Sequence, residues 1–92
     1  MIHFLVHAKD DSVGVAAVDL KAGEKLTGLV MDTQESIEIE AAMDIPLGHK
    51  IALVEMKPGD TVIKYGHDIG QVVADIKKGQ HVHIHNLKTK RW

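Results

Sequence analysis

At 92 residues with a formal net charge of −2, the chain has room for one domain that buries roughly 60–65% of its unfolded surface, leaving little for both a core and a complete substrate pocket. Its 11 Lys and Arg are set against 13 Asp and Glu, and it has one Phe, one Tyr and one Trp. Bulk attraction for nucleic acid and aromatic stacking platforms are therefore not expected. The absence of cysteine excludes disulfides, thiolate nucleophiles and cysteine-ligated metal centres within the chain.

No apolar run approaches ~20 residues, and no basic start with an apolar stretch and cleavage site opens the chain, so neither a membrane span nor a secretory signal is expected. Cytoplasmic localisation is the default. In chain order, Ile2–His7, Val13–Leu20, Leu26–Val30, Ser36–Glu40, Ile51–Met56, Thr61–Lys64, Gln71–Ala74 and His81–His85 are predicted as strands. Alternation is cleanest in Ile37-Glu38-Ile39-Glu40 and in the histidine segment. Pro46 and Gly48 punctuate Ile45–Leu53, which predicts a bend or one helical turn leading into a strand. One domain over residues 1–92 is expected, with residues 88–92 as a tail that docks on a partner or frays.

A phrase recurs three times: Val18-Asp19-Leu20-Lys21-Ala22-Gly23-Glu24-Lys25-Leu26, Val54-Glu55-Met56-Lys57-Pro58-Gly59-Asp60-Thr61-Val62 and Ala74-Asp75-Ile76-Lys77-Lys78-Gly79-Gln80-His81-Val82. Each reads apolar, acidic, apolar, Lys, any, Gly, polar, any, apolar. Gly supplies the positive φ of a tight corner, and the apolar residues on either side enter strands. The unequal spacing of the phrases argues against a solenoid and for a compact pseudo-repeating β fold.

The clearest chemical character lies in His81-Val82-His83-Ile84-His85-Asn86. Alternation puts its three imidazoles on one face of a strand, with His83 and His85 about 7 Å apart. That spacing permits a shared metal or oxyanion. Asn86 is placed to orient His85 or to offer an amide to a carboxylate. His7 follows the apolar Phe4-Leu5-Val6 and precedes Asp10-Asp11; Gly48-His49-Lys50 gathers two cationic groups at a flexible corner. Lys64-Tyr65-Gly66 places a cation and the only phenol beside a flexible residue.

These segments together, with Asp11-Ser12-Val13-Gly14-Val15-Ala16, Asp44-Ile45-Pro46-Leu47-Gly48-His49-Lys50-Ile51-Ala52-Leu53, Ile69-Gly70 and the run from His81 to Leu87, resemble the small subunit or N-terminal domain of the altronate and galactarate dehydratase family. They also resemble the small subunit of sulfolactate sulfo-lyase. The resemblance implies a mostly β, SAF-type β-clip fold with short strands and little helix. It also implies a larger catalytic subunit of about 40 kDa, a small carboxylate or sulfonate substrate, and a divalent metal, commonly iron, in the assembled enzyme. On that reading the chain is the small subunit of a two-subunit lyase that dehydrates a sugar acid to a 2-keto-3-deoxy acid. One alternative is a sulfolactate lyase alpha subunit that releases sulfite and pyruvate, and another is a stand-alone SAF binding module.

The resemblance carries over His7, His49, Lys64, Tyr65, His83 and His85 as site residues, and Lys50, Asn86, Gly48 and Gly66 as substrate-binding or shaping positions. His83 and His85 are the metal candidates. His67 and His81 fall at the margins of the matching motifs, and His3 has no supporting context.

Overall fold

In the computed structural model, residues 1–64, 67–83 and 87–88 are described, with the backbone alone at 64, 67, 68, 87 and 88. Nine short strands form two sheets, and no helix occurs among the described residues. The strands are β1 Phe4–Val6, β2 Val13–Ala16, β3 Lys25–Val30, β4 Glu35–Glu40, β5 Lys50–Ala52, β6 Thr61–Lys64, β7 His67–Val72, β8 His81–Val82 and β9 Leu87–Lys88. The larger sheet has the order β4-β3-β1-β2-β5-β8, and the smaller one β6-β7-β9. The mostly β, short-strand clip architecture expected from the resemblance is the one observed.

The recurring phrase is the key to this topology. Gly23, Gly59 and Gly79 all have positive φ, and so does Gly48, because a fourth copy, Met43-Asp44-Ile45-Pro46-Leu47-Gly48-His49-Lys50-Ile51, carries Pro where the others carry Lys. The corners associate in pairs. Leu20 and Ile45 exchange both backbone hydrogen bonds, at 2.8 and 2.9 Å, and Met56 and Ile76 do the same at 2.8 and 2.9 Å. Within each pair the glycine amide donates to the carbonyl two residues before the other copy begins: Gly23 to Ala41, Gly48 to Ala16, Gly59 to Val72 and Gly79 to Ala52. Each pair of corners is thus clasped reciprocally, and the four apolar centres, Leu20, Ile45, Met56 and Ile76, are all buried.

This clasping explains why several predicted strands are shorter than alternation suggests. Val13–Leu20 and Ile51–Met56 bend after Ala16 and Ala52 and resume only as the isolated bridges at Leu20 and Met56. The apolar residues beyond the bend belong to corners. Likewise β7 begins earlier than Gln71, pairing Lys64 with His67, and Val73 and Ala74 lead into the last corner. The stretch Ile45–Leu53 contains no helical turn; it is corner followed by β5.

The core has two parts. One gathers Phe4, Val6, Ala16, Leu20, Leu26, Val30, Ile39, Ala41, Ile45 and Ile51; the other gathers Val13, Ala52, Met56, Val62, Val72, Ile76 and Val82. Successive residues in a strand point to opposite faces, so β2 and β5 serve both, with Ala16 and Ile51 on one side and Val13 and Ala52 on the other. Phe4, fully buried, lies against Gly14 and Gly28 on the strands that flank β1. Those glycines leave the room its ring occupies. The smaller sheet is tied to the larger through Ser12, whose N–H donates to the Ile63 carbonyl at 2.8 Å and whose carbonyl accepts from Leu53 at 2.9 Å.

Candidate functional site

Three imidazoles converge at the β8 edge of the large sheet. His49 closes the fourth corner, its N–H donating to the Pro46 carbonyl at 3.0 Å and its carbonyl accepting from Ala16 at 2.8 Å. β8 pairs with β5 in a register of Ile51 with His81 and Lys50 with Val82. Continuing that register sets His83 directly opposite His49, with His81 on the diagonal, the cross-strand distances at which side chains meet. The His49 ring centroid is 5.0 Å from each of the other two, and His81 and His83 stack at 5.4 Å with an interplanar angle of 10°. His49 Nδ1 and His81 Nε2 are 2.9 Å apart, within hydrogen-bond distance, and the ring tautomers set which of the two donates.

The corner chemistry accounts for a histidine at position 49. In the other three copies the residue after Gly accepts a hydrogen bond from the backbone N–H three positions earlier: Glu24 from Lys21, Asp60 from Lys57, and Gln80 from Lys77. Pro46 has no N–H to donate. The side chain at position 49 is therefore released from that turn, and the imidazole turns toward β8 instead. His49 and His81 are half-buried and His83 is exposed.

One ligand atom from each ring lies within 4.8 Å of the others. Metal–nitrogen bonds of about 2.1 Å at tetrahedral angles set donor atoms about 3.4 Å apart, so the widest separation needs to close by about 1.4 Å. Three neutral imidazoles with positions left open suit a divalent first-row transition ion, and lack the oxygen donors that Mg²⁺ or Ca²⁺ takes. The donor set fits a transition metal in general and does not select iron.

The sequence-derived candidates divide accordingly. His49 and His83 come together, and His81, placed at the margin of its motif by sequence context, joins them. His7 does not. Continuing the β1–β2–β5 register puts His7 in the row of Val13 and Ala52, and His49 in the row of Ala16 and Phe4. The two are separated by about 10 Å along the strands and about 10 Å across them. Lys50 opens β5 beside His49 and pairs there with Val82; by strand alternation it points away from the face of Ile51 and His81. Gly48 shapes the corner at φ 86°. Tyr65, Gly66, His85 and Asn86, and the tail beyond residue 88, lie outside the described residues, as does the side chain of Lys64.

Three other polar features are architectural. His3 Nδ1 accepts the Thr27 N–H at 2.9 Å, splicing the chain start onto β3. A groove of about 300 Å³ beside the first corner pair is lined by Asp19, Leu20, Lys21, Asp44, Ile45 and Pro46. Its carboxylates cap amides of the opposite corner, Asp19 accepting from Leu47 and Asp44 from Ala22, both at 2.9 Å. Asp11, which is buried, accepts the Ala8 N–H at 3.2 Å within its own turn.

Comparison with known proteins agrees with this architecture. The chain is 51% identical over 92 residues to the (2R)-sulfolactate sulfo-lyase subunit alpha of Chromohalobacter salexigens, covering 99% of this chain and 98% of that protein. It is 53% identical over 64 residues to the protein of the same name from Paracoccus pantotrophus, covering 70% of this chain and 96% of that one. Altronate dehydratase of Bacillus subtilis is 40% identical over 89 residues, which are 97% of this chain and 17% of that protein. The family model described as Altronate/galactarate dehydratase SAF domain matches residues 2–90, and with four clasped corners and no helix among the described residues, the chain belongs to that family.

Proposed function

We propose that this chain is the small subunit of a two-subunit lyase, and that its substrate is a short sulfonated hydroxy acid of the sulfolactate type. The observation that carries the substrate is the manner of the match: nearly the full length of the sulfo-lyase alpha subunits is matched, at higher identity, whereas the dehydratase match takes up 17% of a longer protein. The subunit reading rests on the same relatives and on the openness of the histidine cluster. Rings that are half-buried or exposed at a sheet edge do not enclose a substrate, and a second chain laid over this edge would.

The reaction on this reading is a β-elimination. A base removes the proton on the carbon beside the carboxylate, the electron pair forms the new carbon–carbon double bond, and the carbon–sulfur bond breaks with sulfite leaving. The resulting enol takes a proton at the terminal carbon and becomes pyruvate. Both ends of the substrate are anionic, so the site must supply fixed positive charge or donors to each. His49, His81 and His83 would hold and orient one anionic end, and the second subunit would supply the proton-abstracting base.

A second reading, dehydration of a sugar acid such as altronate or galactarate, is favoured by the family model and by the 40% identity to the dehydratase. It uses the same proton abstraction with water as the leaving group. The deciding experiment is to purify the chain with whatever larger subunit accompanies it in its native cells and to offer both substrate classes. Sulfite and pyruvate released from (2R)-sulfolactate are the expected products. A complex that forms 2-keto-3-deoxy acid from altronate or galactarate and no sulfite would replace the proposal with the second reading. Recovery of the chain without any larger subunit would point to an independent binding module.

A further inference from the structure

The geometry points to a divalent transition-metal site whose protein ligands all come from this chain: His49, His81 and His83. This differs from the pair His83 and His85 that alternation along a single strand suggests, and it stands whether the substrate carries a sulfonate or a second hydroxyl.

Three observations carry it. The first is convergence: two adjacent strands bring one nitrogen from each of three rings within 4.8 Å. His81 and His83 are about 7 Å apart along the backbone, and His49 reaches both from across the β5–β8 pair, its ring centroid 5.0 Å from each. The second is the fixed backbone beneath the rings. His49 is hydrogen-bonded through both its N–H and its carbonyl, and His81 is paired with Ile51 in the ladder. Just before His81, Gln80 is fixed as well: its side-chain oxygen takes the Lys77 N–H and its backbone carbonyl the Ala52 N–H, at 2.8 and 2.9 Å. Two of the three ligands are therefore held in place before any ion arrives, which is the condition for a precise metal site. The third is the Pro46 substitution in the fourth corner, which removes the backbone donor that would otherwise tie down the side chain at position 49.

The ligand class follows from the donors. Three imidazoles favour Zn²⁺, Fe²⁺, Co²⁺, Ni²⁺ or Cu²⁺ over the oxygen-seeking Mg²⁺ and Ca²⁺. Three protein ligands leave at least one coordination position for water or substrate, as in catalytic rather than structural sites. The ion would supply positive charge toward an anionic substrate group. The edge location turns that open position outward, to where a second subunit or the substrate would meet it.

Co²⁺ is the probe, titrated into the purified full-length chain and followed by its visible ligand-field absorption. One equivalent should bind with the bands of a nitrogen-ligated site, and excess Mg²⁺ should not displace it. His81→Ala and His83→Ala should each weaken binding by at least ~10-fold, with the urea midpoint recording that each variant remains folded. His81→Gln provides the same test with a polar side chain retained. His7→Gln should bind as the parent does. Loss of binding in His85→Ala but not in His81→Ala would overturn the assignment in favour of the single-strand pair, and absence of ligand-field bands in the parent chain would overturn the site altogether. Neither result depends on sulfite release, so this failure is distinguishable from failure of the sulfolactate reading.

Discussion

Replacing the corner glycines one at a time separates the backbone cost of the corners from the cost of packing them, and it does so at the histidine site. Gly23, Gly48, Gly59 and Gly79 have φ of 82°, 86°, 97° and 87°, so an Ala substitution should strain each backbone similarly, by about 1 kcal/mol. Their surroundings differ. A Cβ at Gly23, Gly48 or Gly59 would meet nothing within 4 Å, whereas one at Gly79 would overlap the carbonyl oxygen of Glu40 and stand 3.1 Å from the Ala42 nitrogen. Those are backbone atoms, and Gly79 is bound on both sides, accepting from Ala42 at 3.0 Å and donating to Ala52 at 2.8 Å. Relief therefore requires moving β8 or the end of β4, an overpacking cost of about 1–3 kcal/mol. Gly79→Ala should lose about 2–4 kcal/mol by urea unfolding, against about 1 kcal/mol for Gly23→Ala or Gly59→Ala. Because β8 carries His81, Gly79→Ala should also weaken Co²⁺ binding in the variant that remains folded, while Gly23→Ala should leave it intact. A Gly79→Ala protein no less stable than Gly23→Ala would refute the clash and the clasp it belongs to.

Two further outcomes test the core and the surface charges. Gly28→Ala should destabilise the chain by about 1–3 kcal/mol, because the added methyl group would occupy the space of the buried Phe4 ring; Phe4→Leu should lower that increment when the two are combined, by double-mutant urea unfolding. Glu55 is bonded to Lys57 at 3.2 Å and Lys77 at 3.6 Å. The Lys57 hydrogen bond and charge, and then the Lys77 charge, hold its carboxyl below the ordinary value, and Glu55 in turn raises Lys57. A lowered carboxylate stabilises the fold above its unfolded-state pKa and ceases to do so as pH falls through the folded one; the raised lysine acts in the opposite sense at high pH. Thermal midpoints of Glu55→Gln and the parent should therefore differ slightly at neutral pH and converge both in acid and in strong base. A difference that persists in acid would show that Glu55 acts through packing.

The architecture was legible in the residues because the corner phrase is local chemistry. An acidic residue, which in Asp19 and Asp44 caps an amide of the opposite corner, an apolar residue to bury and a glycine for positive φ recur in that order in three copies. The fourth copy departs from the phrase at Pro46, where the others carry Lys, so the position requires no side chain of that kind. Strand ends were misjudged for a related reason. Apolar alternation continues past Ala16 and Ala52 into the corners, so the pattern cannot mark where one ladder stops and another begins.

The candidate site divides along the same line. Histidine content, the alternation of His81 and His83 and the flexible corner before His49 are sequence properties, and they pointed to this chemistry. Which rings meet is a property of the β5–β8 register, a contact across 32 positions of chain that no local spacing encodes. Register also decides what stays apart: the pleat sends Lys50 away from the face of Ile51 and His81, and the antiparallel order of β1, β2 and β5 carries His7 to the other end of the sheet. The residues by themselves determined the kinds of groups available and the corners that turn the chain; only the clasping of the corners, which pairs strands distant in sequence, decided that His49, His81 and His83 stand together.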